Sequence, residues 1–230
     1  MVKLIRFFAH NRAVEGMPGP LPTKHTIPQW YKHSESTFTT DNGEELAGLK
    51  KCMPYVDAMM SGYVLPLPLD LHVSKNEDGT LRIEYDETDL GEIIHERPMA
   101  LGAMMPRPEG FASNHLTFKA PWGWKTPKGF SVLVTHPFNR EELPFHTVTA
   151  FMDSDEFVAS GNIPFFIKEG FEGVIPAGTP LAQLMPIKRY AWKMIANDQT
   201  LQNKAAYHGK IARDPKYGYK KVMWHRKEYN

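Results

Sequence analysis

Between Val64 and Val73 the chain alternates, with Leu65, Leu67, Leu69 and Leu71 on one face and Pro66, Pro68, Asp70 and His72 on the other. Period-two alternation predicts a half-buried strand. Its prolines have no N–H to donate to a ladder, so the strand is expected at a sheet edge or paired on one side only. Asn76-Glu77-Asp78-Gly79 follows as a hairpin turn, because Asp-Gly suits a turn that needs positive φ. It leads into LRIEYD, where Leu81, Ile83 and Tyr85 alternate with Arg82 and Glu84.

The same period predicts strands over residues 1–10, near 92–95, over 145–152, over 162–168 and within 173–188. Residues 115–139 read as two strands around a Pro/Gly/Trp loop, the second running from Phe130 to Thr135 after a turn at Pro127-Lys128-Gly129. In extended backbone Trp122 and Trp124 face the same way. Two stretches read as helical. Residues 44–51 follow a possible N-cap at Asp41, and 190–207 offer Tyr190, Met194, Ile195 and Leu201 as a buried stripe. Ile27 to Lys32 reads as an arm that pins Trp30 and Tyr31 onto the core, with an aromatic ligand platform as the alternative. Met99, Met104 and Met105 suggest adaptable packing.

Composition narrows the class. The 19 prolines and 17 glycines are spread along the chain, which favours many short strands and defined loops. With 230 residues, 42% hydrophobic and 23% charged, the chain can bury a sizeable core without staples. The expected fold is mainly β, a β-clip or a distorted barrel or jelly-roll-like single domain with a C-terminal helix. It divides into an arm (1–50), a β core (51–189) and a helix with a basic tail (190–230). No apolar run reaches the roughly 18 residues of a membrane span, so no membrane partner is expected. The one cysteine, Cys52, fits a reducing cytoplasm.

With 27 basic and 26 acidic side chains the chain has no global field to attract nucleic acid. The exception is the tail from Gly209 to Asn230, where seven Lys or Arg face Asp214 and Glu228, among Tyr217, Tyr219, Trp224 and Tyr229. That mixture can grip phosphate and stack bases, or serve as a solvated tail or a subunit-exchanging arm.

Phosphate-loop, dinucleotide-glycine, G-x-S-x-G and paired-cysteine zinc motifs are all missing. Two constellations are left. Asp153-Ser154-Asp155-Glu156 presents carboxylates at the end of a strand, where they can bind Mg²⁺ through water or activate a water. The alternative is a cupin-like non-haem Fe²⁺ oxygenase site with His115, His136 and His146 converging from neighbouring strands to act with an acid. The formal His33-Ser34-Glu35 match lies in an early loop.

The order AFMDSDEF, a strand, then Gly178-Thr179-Pro180-Leu181-Ala182-Gln183 resembles the trimeric dUTPase family and its β-clip relatives. Ser61-Gly62-Tyr63 and Pro127-Lys128-Gly129-Phe130 extend the likeness over about half the chain. It implies a homo-oligomer, a trimer by the family's pattern, with Asp153 near a sugar and an attacking water. Three parts of the family pattern are absent. His136 to Arg140 replaces the Arg-Ser-Ser phosphate segment, Glu156 or Phe157 replaces the stacking tyrosine, and the glycine-rich C-terminal arm has no counterpart.

The overall pattern, including IPQWYK (27–32), DAMMSGY (57–63) and the NIPFF strand (162–166), also resembles phage-encoded proteins, which implies a host cytoplasm but no chemistry. The expectation is a protein that binds a small polar ligand, a nucleotide among the candidates, or that assembles, without standard dUTPase activity. Asp153 and Asp155 are its candidate catalytic residues, and Gln183, Glu156, Tyr63, Trp122 and Trp124 its candidate ligand contacts. A Mg²⁺-dependent nucleotide hydrolase and the iron enzyme are the alternatives.

Overall fold

The computed structural model describes residues 2–10, 12–158, 160–196, 198–214 and 218–230. The Met99 side chain, and Lys216 and Tyr217 of the basic tail, lie outside the described residues. In chain order the strands are β1 (Arg6–Ala9), β2 (Leu21–Pro22), β3 (Thr37–Thr39), β4 (Glu45–Ala47), β5 (Tyr63–Pro66), β6 (Leu71–Lys75), β7 (Leu81–Glu84) and β8 (Ile94–Glu96). They continue with β9 (Leu116–Lys119), β10 (Trp122–Lys125), β11 (Phe130–Thr135), β12 (Phe145–Thr147), β13 (Ala150–Met152), β14 (Asn162–Ile167), β15 (Gly173–Ile175) and β16 (Pro180–Lys188). The helices are α1 (Gln29–His33), α2 (Met53–Met60), α3 (Met99–Met104), α4 (Gln202–Arg213) and α5 (Gly218–Val222). The fold is mainly β, with α4 as the C-terminal helix. Among the described residues no helix is long and apolar enough to cross a membrane.

The chain forms two compact units, Met1–Thr23 with Gly62–Arg189, and Lys24–Ser61 with Tyr190–Asn230. The first unit holds the sheets β13-β11-β16-β5-β2, β12-β14-β9-β8, β15-β6-β7 and β1-β10, all antiparallel. Its core is built from inward-facing residues of these strands, including Leu65, Leu67, Leu71, Phe118, Trp124, Phe145, Phe165, Leu181 and Leu184. Trp122 packs against the same core, so both tryptophans do face one way.

In the second unit β3 and β4 form a hairpin. Tyr31, Met53, Val56 and Met59 make a small core there, with Tyr219 and Trp224 packed against it. Asp57 Oδ2 accepts from Trp224 Nε1 (2.9 Å) and Lys227 Nζ (2.6 Å). Tyr31 is thus pinned, as expected, but within this cluster, while Trp30 stays partly exposed.

Four local expectations are corrected. The alternating stretch 64–73 breaks into β5 and β6, and neither is an edge, since β5 lies between β16 and β2 and β6 between β15 and β7. Pro66 and Pro68 sit at and after the break, so the ladders lose little by their missing N–H groups. The tryptophan-bearing loop of 115–139 is itself a strand, β10, paired with β1. The expected strand over 145–152 is two strands in two sheets. Residues 44–51 form β4 and a short 3₁₀ turn instead of a helix, because Asn42-Gly43, with Gly43 at φ 80°, closes a hairpin in which Thr40 donates to Glu44.

The stripe expected to be buried over 190–207 is also absent, since Tyr190, Met194, Ile195 and Leu201 are all exposed. Helix geometry begins only after Asp198, whose carboxylate caps the Thr200 N–H at 3.0 Å.

Gly62, at the entry to β5, has φ 74°, and a Cβ there would lie 2.3 Å from the Leu184 carbonyl oxygen of β16. Gly79 has the same sign of φ but open space around it. Gly79→Ala is therefore expected to cost about 1–2 kcal/mol, the ordinary left-handed penalty. Gly62→Ala should cost at least about 1 kcal/mol more in urea unfolding, because backbone must move. Equal losses would contradict the close β5–β16 approach.

Candidate functional site, an arginine clasp on two aspartates

The site is built by strand register. β11 pairs with β16 so that Phe130 faces Lys188, and with β13 so that Val132 faces Met152. The residues just beyond these pairs, Arg189 and Asp153, therefore emerge beside Gly129 and Ser131. Arg189 N–H donates to the Gly129 carbonyl (2.8 Å), and Ser131 Oγ donates to Asp153 Oδ1 (2.6 Å). After β13 the chain turns tightly, with the Glu156 and Phe157 N–H groups both donating to the Asp153 carbonyl. Ser154, fully buried, bonds Thr126 Oγ1 at 2.8 Å. This turn swings the Asp155 side chain inward.

The Asp155 carboxylate accepts from Arg189 Nη1 (2.9 Å), from Arg189 Nη2 and from the Gly129 N–H (2.7 Å). Its side chain is 1% exposed. The Arg189 hydrogen bonds, with the Gly129 N–H second, hold its pKa down to about 2, and Asp155 in turn raises that of Arg189. Nη1 also lies within 3.2 Å of Asp153 Oδ1, Ser131 Oγ and the Phe130 carbonyl. Its two hydrogens are thus shared among four acceptors.

The two aspartates differ sharply. Asp155 is neutralised and bound on both oxygens, whereas the Asp153 side chain is 67% exposed and held in place by Ser131 and Arg189. Glu156 is exposed beside them. Water-mediated Mg²⁺ binding would rest on Asp153 and Glu156, since Asp155 has both oxygens committed to protein donors. Among the described residues no group of three or more His, Cys, Asp or Glu is placed to hold a metal ion.

The other candidate residues lie elsewhere. Gln183 faces Thr135 at the opposite end of the β11–β16 pair, about 20 Å from Arg189 along the strand. It is fully buried, and its Oε1 accepts the Phe138 N–H at 2.9 Å. It therefore supports the β11–β12 connection, and a pocket joining it to Asp153 and Asp155 is not formed. Tyr63 packs edge-on against Phe7, and Trp124 is buried in the core. Trp122 is half-buried in a shallow depression with Gly19, Met17 and Arg12.

Of the three histidines, His136 and His146 stack with ring centres 4.9 Å apart. His115 is buried against Phe166. His136 uses both ring nitrogens on backbone, Nδ1 accepting from Thr147 N–H (3.3 Å) and Nε2 donating to the Arg140 carbonyl (3.2 Å). Burial pushes its pKa down, which favours this neutral tautomer. Nothing in this arrangement leaves His136 a lone pair for iron.

Arg189, Ser131 and Gly129 are the site residues missing from the sequence reading. A cation directly after a strand's last paired residue, in PIKR, was the available signal.

No family model matches the chain, and no curated protein matches it. Among solved structures it is similar to a point mutant of the dUTPase from phage phi11 of S. aureus, at 14% identity and a TM-score of 0.28, covering 46% of this chain and 97% of that one. A second structure of the phage phi11 dUTPase matches at 13% identity and a TM-score of 0.27, over 46% and 97% of the two chains. A mutant dUTPase of Staphylococcus bacteriophage 80alpha matches at 12% identity and 0.26, over 46% and 96%. At these TM-scores the likeness carries no weight for chemistry.

Because the folded pKa of Asp155 lies below its ordinary value, its contribution to stability is complete above about pH 4 and is lost as pH falls toward 2. Urea unfolding followed by tryptophan fluorescence should show this loss in the wild type and a flatter profile over that window in Asp155→Asn. Arg189→Ala, which removes the main cause of the depression, should likewise flatten the profile over that window. Superimposable profiles in all three would remove the clasp from the stability of the fold.

Proposed function

We propose that this chain is an assembly protein that closes into a homo-oligomer by burying the segment after β16. The carrying observation is a run of exposed apolar side chains on irregular backbone, Tyr190 (58% exposed), Trp192 (87%), Met194 (87%) and Ile195 (76%). Scattered single apolar residues are normal on a surface, but four within six positions form a patch of the kind that partners cover. Each such side chain contributes about 1.5–3 kcal/mol when buried. Together they are comparable with the cost of association, roughly 4–15 kcal/mol.

Support for a second copy as the partner comes from the first unit. There β13 is the edge of the five-stranded sheet, with Phe151 exposed on it and Phe157 and Val158 exposed just after it. An apolar segment meeting a different apolar edge on the next copy is a heterologous contact, which makes a ring when the rotation closes. A trimer is the ring we expect. The oligomer is taken to act in the cytoplasm, that of a host cell for a phage-encoded chain.

A second reading, a small polar ligand such as a nucleotide at Asp153, is favoured by one observation. This exposed carboxylate is held by two donors, so it can accept from a sugar hydroxyl or a water without reorganising.

Light scattering on a sizing column should give an oligomeric mass for the wild type and at least tenfold weaker association for Trp192→Ala/Met194→Ala. A monomeric wild type at tens of micromolar would overturn the assembly proposal. For the ligand reading, nucleoside triphosphates with Mg²⁺ are the probe. Turnover present in the wild type and absent in a folded Asp153→Ala variant would support catalysis there, and equal turnover in both would sink it.

A further inference from the structure

Charge is unevenly divided between the two compact units. The unit of residues 24–61 and 190–230 carries 13 Lys and Arg against 8 Asp and Glu, whereas the other carries 14 against 18. The excess is concentrated at α4 and α5, whose sequences QNKAAYHGKIAR and GYKKV contain no acidic residue. No residue of α4 is buried, and Lys204, Lys210, Arg213, Lys220 and Lys221 are in no ion pair among the described residues. Lys227, by contrast, is held by Asp57.

α4 is exposed except at His208 and Ile211, which are half-buried, and so open a helix normally gains stability from i,i+4 pairs of opposite charge and from acids in its first turn. α4 has neither, and it carries Gly209, which costs about 1 kcal/mol relative to alanine in a helix interior. Lys210 and Arg213 in the last turn suit the helix dipole, but Lys204 and the α5 lysines have no such role, and the surface does not follow the mixed-sign pattern of a merely solubilising one. At helical spacing Asn203, Tyr207 and Lys210 share one face, flanked by Arg213. Tyr207 on that face is 64% exposed. A cationic face with an exposed ring matches the demands of a phosphate backbone whose bases are free to stack.

We propose that α4 and α5 form a docking surface for single-stranded nucleic acid, with Lys204, Lys210, Arg213, Lys220 and Lys221 on phosphates and Tyr207 stacking on a base. The proposal does not depend on self-association. Five neutralised phosphates predict a log–log salt slope near −3.5, so affinity should fall about 100-fold between 50 and 200 mM salt.

The test is fluorescence anisotropy of a labelled 20-nucleotide thymidine strand on the full chain. The expected result is saturable binding at 50 mM salt with that slope. Lys204→Gln/Lys210→Gln/Arg213→Gln should reduce the slope by about 2, because each lost contact removes about 0.7. Tyr207→Ala should weaken binding about 5- to 150-fold while leaving the slope unchanged. Circular dichroism confirms that each variant is folded, and Arg226→Gln, outside the proposed surface, should bind like the wild type. Absence of binding at 50 mM salt would overturn the proposal. So would an unchanged slope in the triple variant, or capture by vesicles of phosphatidylserine and phosphatidylcholine without binding to the oligonucleotide.

Discussion

The burial of β16 constrains the rest of the first unit. It is bonded to β11 on one side and β5 on the other, and every residue from Pro180 to Leu184 is buried. A strand enclosed in this way must be apolar or must satisfy its polar groups internally. Pro180, Leu181, Ala182 and Leu184 meet the first condition, and Gln183 meets the second through the Phe138 N–H. The same enclosure explains why Gly62 cannot carry a side chain where β5 begins. Further along, the strand leaves the core, and Lys188 and Arg189 reach solvent next to the turn at Gly129.

A single sequence motif therefore divides into two physical roles. Gly178 to Gln183, the part resembling a nucleotide-binding signature, is accounted for by packing, because its glutamine is turned into the protein. The end of the strand instead organises the acidic turn. Arg189 neutralises Asp155 and steadies Asp153, so three carboxylates adjacent in sequence become one buried ion pair and two exposed groups. Of the two aspartates in the clasp, Asp153 is the one that presents its carboxylate to solvent.

What was legible in the sequence was local and periodic. The hairpin at Asp78-Gly79, the turn at Gly129, and the strands 130–135 and 162–167 all carry their own signals in alternation and turn chemistry. The failures have physical causes. The Asn42-Gly43 turn prevails over the apparent cap at Asp41, and Pro66 and Pro68 mark a break between two internal strands instead of a sheet edge. The clasp was invisible because Arg189 and Asp155 are 34 residues apart, and only the registers of β11 with both β13 and β16 bring them together. The histidines failed in a similar way. Proximity on neighbouring strands was correct for His136 and His146, but hydrogen bonds to backbone already occupied the nitrogens of His136.

The segment following the clasp gains its meaning from what holds its root. Arg189 is fixed through its backbone to Gly129 and through its side chain to two aspartates, so Tyr190 leaves an anchored residue. Anchoring one end of a segment that has no regular secondary structure lowers the entropy that a partner must overcome to fix it. Trp192, Met194 and Ile195 lie within six residues of that anchor, before the Asp198 cap starts the helical region. The acidic turn and the apolar segment are thereby linked. Removing the Arg189 guanidinium should loosen the root of the segment as well as uncover Asp155, so under the proposed assembly the same side chain serves both association and acid stability.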